Sequence, residues 1–472
     1  MLIYLMNFID RANITAARLQ GLQDDLHISG FLDVQYDTVL AILYVTYCLS
    51  QVPSNLTYKI ISRPSLYIGC CVVFWGLSST LTGITTSYTG ILICRLFIGM
   101  PEAAFYPGAV YLLSRWYIKK VHPLIIDIQE LAFRSAILYS GLLIANAFGN
   151  LIAAGILSRM EGVRNIRAWR WQVKYVFMIA WWLLPDHVSQ IVINCFYRRD
   201  LQPDNTYWLS AKERELAQIR MAEDTGEADK DHSKEHALEG LKMALKDPLV
   251  YIFAIQTTFG LIGLSFSSFF PTLTKTLGFS TTTSLLLAAP PWLFAAILCC
   301  LNAWHADRTG ERFFHIAGWF WVIIVGSVIG ISSMSVPARY VSFFFMTCGN
   351  AGSALNLVWV SNAIPRPPIK RAAAIGFVSS AAALGSLTGS YVWKSEWGPS
   401  YRPSMMILIG ALVISTSLQF VIRNMLIRKN ARLTAEGDAF EADRIRVEEA
   451  AKLQGITFED ALERRKRFQY LY

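Results

Sequence analysis

The stretch RLFIGMPEAAFYPG, residues 95–108, decides how the chain is read. Its apolar residues describe a helix that crosses a membrane, yet Glu102 stands in the middle and Arg95 lies seven residues before it. At about 3.6 residues per turn, that spacing puts both side chains on nearly the same helix face. An intramembrane charge costs at least about 2.5–3.5 kcal/mol on insertion scales. The first apolar run, in MLIYLMNFIDRAN, repeats the problem with Asp10 and Arg11. Such charges persist where they face a water-filled cavity and compensate one another.

Composition places the stretch in context. Of 472 residues, 54% are hydrophobic and only 16% charged, and mean hydropathy is +0.37. A soluble domain averages about 25% charged residues. The deficit runs along the whole length, so one buried core does not account for it. Apolar runs near the length needed to cross a bilayer core of about 30 Å recur throughout. The chain reads as a polytopic, all-α membrane protein. Its net charge of +9 does not signal nucleic acid, because the basic residues sit in short loops between apolar runs. The eight cysteines, Cys48, Cys70, Cys71, Cys94, Cys195, Cys299, Cys300 and Cys348, lie scattered in apolar segments without metal-ligand spacing. No cofactor, metal or signal peptide is read from the sequence, and no nucleophile–base set or phosphate loop points to an enzyme.

Twelve spans are predicted, near 1–19, 36–58, 66–85, 88–113, 131–157, 173–196, 249–270, 284–304, 314–334, 340–362, 372–393 and 404–427. They divide into a bundle over 1–197, a polar linker over 198–247, a second bundle over 248–427 and a charged tail over 428–472. Lysines and arginines gather in loops 2–3, 4–5, 8–9 and 10–11, which makes those loops and both termini cytosolic. Loop 5–6 breaks the rule with Arg159, Arg164, Arg167 and Arg170. Six plus six spans around a long linker give a major facilitator fold, two six-helix bundles with a central cavity that holds substrate near the midplane.

The motifs are more specific. NFIDRANITAARLQGLQDDL, YCLSQVPSNL, RLFIGMPEAAFYPGAVYLLSRWY, HADRTGERFFHI and WVSNAIPRPPIKRAAAIG together resemble the fungal anion:cation symporter family. That family includes permeases for nicotinate, allantoate and pantothenate. The resemblance covers nearly the whole chain and implies proton-coupled uptake of a small organic anion, with the lipid bilayer and protons as the other partners and no nucleic acid. It implies a monomer in the plasma membrane. It also assigns coupling to Glu102 and Asp10, anion binding to Arg11 with Arg95 as the partner of Glu102, and a cavity position to Tyr47.

The residues themselves leave alternatives open. Arg95 and Glu102 serve either a transport cycle or a structural ion pair that locks helices. Arg11 either faces the cavity or snorkels to the interface. In the second half, Gln256, Asn350, Asn356, Trp359 and Asn362 line the cavity or make interhelical bonds and packing. Asp307, Arg308, Gly310 and Arg312 in HADRTGER read as a conformational latch at the cytosolic gate, since glycine permits a tight turn and the charges cap and pair across it. Uncoupled exchange and nutrient sensing without transport are the competing functions.

Three places depart from the family pattern. Only nine residues precede Asp10, about 14 Å of helix, so the head of span 1 is expected to be clipped. VHPLIIDI, 121–128, interrupts a loop expected to be short and basic. Pro185, Asp186 and His187 interrupt span 6. These are read as intrusions from an imperfect gene model, with adaptation as the other account.

Overall fold

The computed structural model describes residues 2–19, 21–26, 34–60, 64–105, 109, 131–163, 167–171, 237–364, 368–435 and 471. Among these residues the chain is helical, without strands. The first half contributes α1 (Leu2–Arg18), the short α2 (Leu22–Asp25), α3 (Val34–Ile60), α4 (Pro64–Thr82), α5 (Tyr88–Glu102) and α6 (Leu131–Met160). Then follow α7 (Ala237–Leu245), α8 (Pro248–Gly263), α9 (Phe270–Lys275), α10 (Thr281–Thr309) and α11 (Phe313–Ser332). The chain continues through α12 (Val336–Cys348), α13 (Asn350–Ala363), α14 (Pro368–Ser390) and α15 (Arg402–Ala435). Over its described residues every predicted span except 173–196 coincides with helix; that span, the 121–128 insert and Pro185, Asp186 and His187 lie outside the described residues, as does most of 106–113. Seven helices among the described residues are long and apolar enough to cross a membrane. The helix of span 12, α15, runs on to Ala435.

Local chemistry sets the helix ends. Ser87 caps α5 by accepting from the Gly90 N–H, and Ser280 caps α10 by accepting from Thr283. Asp247 caps α8 through the Leu249 N–H, with Pro248 in the first turn, where a missing N–H costs nothing. Asp247 also accepts from Lys370 at 2.7 Å, which joins the starts of spans 7 and 11. Span 7 does not run straight: α8 ends at Gly263, a 3-10 turn covers Ser265–Phe269, and α9 completes it. Phe266, Phe270, Trp292 and Phe343 fill this bend, with Phe270 centred 5.2 Å from Trp292 and 5.4 Å from Phe343.

Two helix pairs join the halves. In the first, α3 (span 2) packs on α14 (span 11), and Ser380 Oγ donates to the Cys48 carbonyl at 3.0 Å. In the second, α6 (span 5) packs on α10 (span 8). Leu285 of α10 is buried in one cluster with Ala153 and Ala154 of α6. In a six-plus-six repeat, span 2 corresponds to span 8 and span 5 to span 11, so a two-fold exchanges the two contacts. This is the arrangement of a major facilitator fold.

The basic loop 5–6 has a local explanation. Arg170 Nε lies 2.8 Å and Arg167 Nε 3.9 Å from the carboxylate of Asp25, and Trp169 Nε1 donates to the same carboxylate at 3.1 Å. Part of the charge that breaks the loop rule is therefore neutralised by the short helix after span 1.

Spans 2 and 4 approach closely at Gly99, where a Cβ would strike the Leu43 carbonyl and Thr46 Oγ1. Thr46 Oγ1 donates to the Leu96 carbonyl at 2.9 Å across the same contact. Gly99→Val is expected to cost about 1–3 kcal/mol by overpacking, read as a lower midpoint of thermal unfolding, with Gly99→Ala falling between it and the parent.

Candidate functional site

The two charged pairs seen in the sequence regroup across helices. Arg11 Nε donates to Glu102 Oε1 at 2.5 Å, joining span 1 to span 4. The Glu102 side chain is 2% exposed and that of Arg11 17%. The guanidinium sits among three rings, 4.9 Å from the centroid of Tyr47, 5.1 Å from Phe8 and 5.6 Å from Tyr44. Such placement stabilises a cation by the ring quadrupole. Arg11 therefore points inward rather than snorkelling. The second Glu102 oxygen, Oε2, is buried with no hydrogen-bond partner, which leaves an acceptor open on the pair.

The expected Arg95–Glu102 pair is not formed. Seven residues of helix separate them by about 10.5 Å along the axis, and helical side chains all lean toward the N-terminus, so the gap does not close. Arg11 reaches Glu102 from the neighbouring helix instead. Arg95 is buried, its Nε has no hydrogen-bond partner, and it lines a narrow cavity with Asp10, Asn13, Ser79 and Trp169. Asp10 accepts from Ser79 Oγ of span 3. The first half thus holds two charge groups, one between spans 1, 2 and 4 and one between spans 1, 3 and 4.

The second-half amides form an interhelical network. Gln256 is fully buried, donates from Nε2 to Ser415 Oγ at 3.3 Å and accepts from Thr257 Oγ1 at 3.2 Å. Asn356 Nδ2 donates to Thr257 Oγ1 at 2.8 Å, while its Oδ1 is buried without a partner. Spans 7, 10 and 12 are tied together in this way. Asn350 Nδ2, at the start of α13, donates to the Thr347 carbonyl at the end of α12, and Asn362 Oδ1 is buried without a partner. Trp359 is fully buried edge-on to Phe253, and its Nε1 donates to the Leu471 carbonyl. Of the alternatives open for Gln256 and Trp359, the geometry matches bonding and packing within the bundle.

HADRTGER folds as a turn between α10 and α11. Gly310, with φ +69°, closes α10 in the left-handed conformation that favours glycine. Arg312 Nη2 donates to Asp307 Oδ1 at 2.8 Å, and both are buried. Asp307 Oδ2 accepts the Phe133 main-chain N–H at 2.7 Å. That bond crosses from span 8 to the first turn of span 5, where an anion meets the positive end of the helix. Arg308 stands apart, its guanidinium 4.3 Å from the Trp304 ring.

Sequence reasoning missed Phe8, Tyr44, Ser79 and Asp25. Phe8 and Tyr44 each lie three residues before a named residue, Arg11 and Tyr47, on the same helix face. Ser79 and Asp25 had no signal beyond being polar. No group of three or more His, Cys, Asp or Glu side chains gathers as metal ligands among the described residues.

Comparison with known proteins agrees with this fold. The chain is 29% identical to the MFS-type transporter cnsO of Penicillium expansum, over 94% of this chain and 83% of the relative. It is 27% identical to an Agrobacterium vitis protein that carries the provisional name of a tartrate transporter, over 89% of this chain and 88% of the relative. Among solved structures, a bacterial homologue of the human lysosomal transporter Spinster, inward-facing and occupied, superposes with a TM-score of 0.62 at 15% identity. The match covers 90% of this chain and 96% of that one. The model of the Major Facilitator Superfamily matches residues 1–390, and the chain belongs to that superfamily of membrane transporters.

Proposed function

We propose that the chain is a secondary transporter that carries a small organic anion, a carboxylate nutrient, together with protons by alternating access. The observation that carries this reading is the buried Arg11–Glu102 pair with its open Glu102 oxygen. A substrate carboxylate competes with Glu102 for the planar guanidinium fork. Once displaced, Glu102 stands without its cation and is the group that takes up the proton in this reading. Substrate and proton therefore load together. Asp10, held by Ser79 and facing the same cavity as Arg95, is the second acid of the cycle.

The motif resemblance supports a place in the fungal anion:cation symporter family, and the relative named for tartrate supports an organic anion. In this reading the two six-span halves rock against each other about the 2–11 and 5–8 contacts, with the Asp307 turn as the latch. The linker and both termini face the cytosol at the plasma membrane, and the unit is a monomer.

The test uses the purified chain in proteoliposomes with an imposed pH gradient and labelled tartrate, nicotinate, allantoate and pantothenate. Glu102→Gln mimics the protonated acid. It is expected to keep counterflow exchange while losing gradient-driven accumulation at least tenfold. If the variant concentrates substrate as the parent does, Glu102 does not couple and the pair is a structural lock. Accumulation by the parent that is indifferent to pH overturns symport in favour of facilitation.

Arg11→Lys keeps the charge but removes the fork. Substrate affinity is expected to fall about tenfold or more, seen as a raised KM at nearly unchanged protein stability. Asp307→Ala leaves the buried Arg312 without this carboxylate and should cost about 3 kcal/mol, in the range for breaking a buried pair. A fall in the thermal midpoint and a faster exchange rate at low gradient are the readouts.

A further inference from the structure

The latch turn is flanked by two histidines that neither the fold nor the transport reading uses. His305 lies in the last turn of α10 and His315 in the first turn of α11. Their rings face each other across the turn, His305 Nδ1 to His315 Nε2 at 2.6 Å, with centroids 4.9 Å apart and planes at 43°. His305 is exposed and His315 half-buried.

We propose that His305 and His315 form a two-imidazole clip for a divalent transition cation such as Zn²⁺ or Cu²⁺. Two imidazole nitrogens bound to one such ion at about 2.0–2.1 Å stand about 2.9–3.4 Å apart, depending on coordination geometry. Reaching that distance takes a separation of less than about 1 Å together with a tilt of the rings that turns both lone pairs onto the ion. His305, at the exposed end of a helix, has room to move by that amount. The backbone beneath is already fixed: Asn302 Nδ2 donates to the His315 carbonyl at 3.1 Å and to the Ala351 carbonyl at 3.0 Å.

The surroundings suit a cation. His315 Nδ1, the nitrogen turned away from His305, is buried against Glu311 and lies 3.9 Å from its Oε2. A ligating histidine commonly presents its other N–H to a carboxylate, which fixes the tautomer. Glu311 also faces Arg423 at 3.7 Å, and Arg312 is taken up by Asp307. The exposed Arg308 lies over Trp304. In the hydrogen-bonded pair one of the two facing nitrogens carries hydrogen. Binding moves that proton to the far nitrogen of the same ring, toward Glu311 for His315 or toward solvent for His305. Both rings stay neutral, and water completes the coordination. Imidazole pairs favour zinc, copper and nickel over magnesium or calcium. The bound ion ties the end of span 8 to the start of span 9 and stiffens the turn that holds Asp307.

The experiment is calorimetric titration of the full chain in detergent with Zn²⁺, and electron paramagnetic resonance with Cu²⁺. The parent is expected to bind one ion with two nitrogen ligands and to gain thermal stability from it. His305→Gln and His315→Gln, which keep a neutral polar side chain, should each lower affinity at least tenfold and abolish the stability gain. The double variant should lose no more than either single one. Glu311→Gln should weaken binding about tenfold while the two-nitrogen signature remains. His27→Gln is the control and should bind as the parent does. Binding unchanged in either His variant, or lost equally in the control, overturns the clip. None of these readouts depends on transport.

Discussion

A charge inside an apolar span must find a partner or water, and the first half of this protein is organised by that requirement. Arg11 and Glu102 meet at 2.5 Å from different helices, so spans 1 and 4 cannot separate without exposing both charges. The three rings around Arg11 add spans 1 and 2 to the same cluster. Asp10 reaches span 3 through Ser79. The pair is also vulnerable to substitution by outside groups, because Arg11 is partly accessible and one Glu102 oxygen has no partner.

At the contact of spans 7, 10 and 12 the second half meets buried polarity with neutral groups, its buried Asp307–Arg312 pair lying apart at the turn between α10 and α11. Gln256, Thr257, Asn356 and Ser415 bond in sequence across spans 7, 10 and 12. Neutral amides cost less to bury than charges and hold their geometry without a compensating ion. The Arg11–Glu102 pair of the first half thus has its counterpart in a neutral amide and hydroxyl network in the second. Between them lie the two symmetric helix pairs, small enough in side chain at Ala153, Ala154 and Cys48 to allow close approach.

The positions of the spans were legible because hydropathy and length act locally along the chain. The seven-residue spacing of Arg95 and Glu102 correctly placed them on one face, but a shared face is not contact. Pairing depends on which neighbouring helix lies over that face, and this is set by packing that no single segment encodes. The same limit hid Asp25 as the partner of the loop 5–6 arginines. Tyr47 was legible from the family motif, while Phe8 and Tyr44 needed the helix orientation to be known first. For HADRTGER the turn could be read from Gly310, while the pairing of Asp307 with Arg312 in particular was not read. The Phe133 contact could not be read, because the donor is main chain.

That last contact has an evolutionary consequence. The partner of Asp307 is an amide N–H, present whatever side chain occupies position 133. Only proline would remove it. Drift at that position is therefore invisible to the bond, and the whole burden of inheritance falls on the aspartate. A search for compensating changes between the two positions would find none, although the two segments touch. The contact asks only for the aspartate and for the backbone shape at position 133, so it can persist where side-chain similarity is lost.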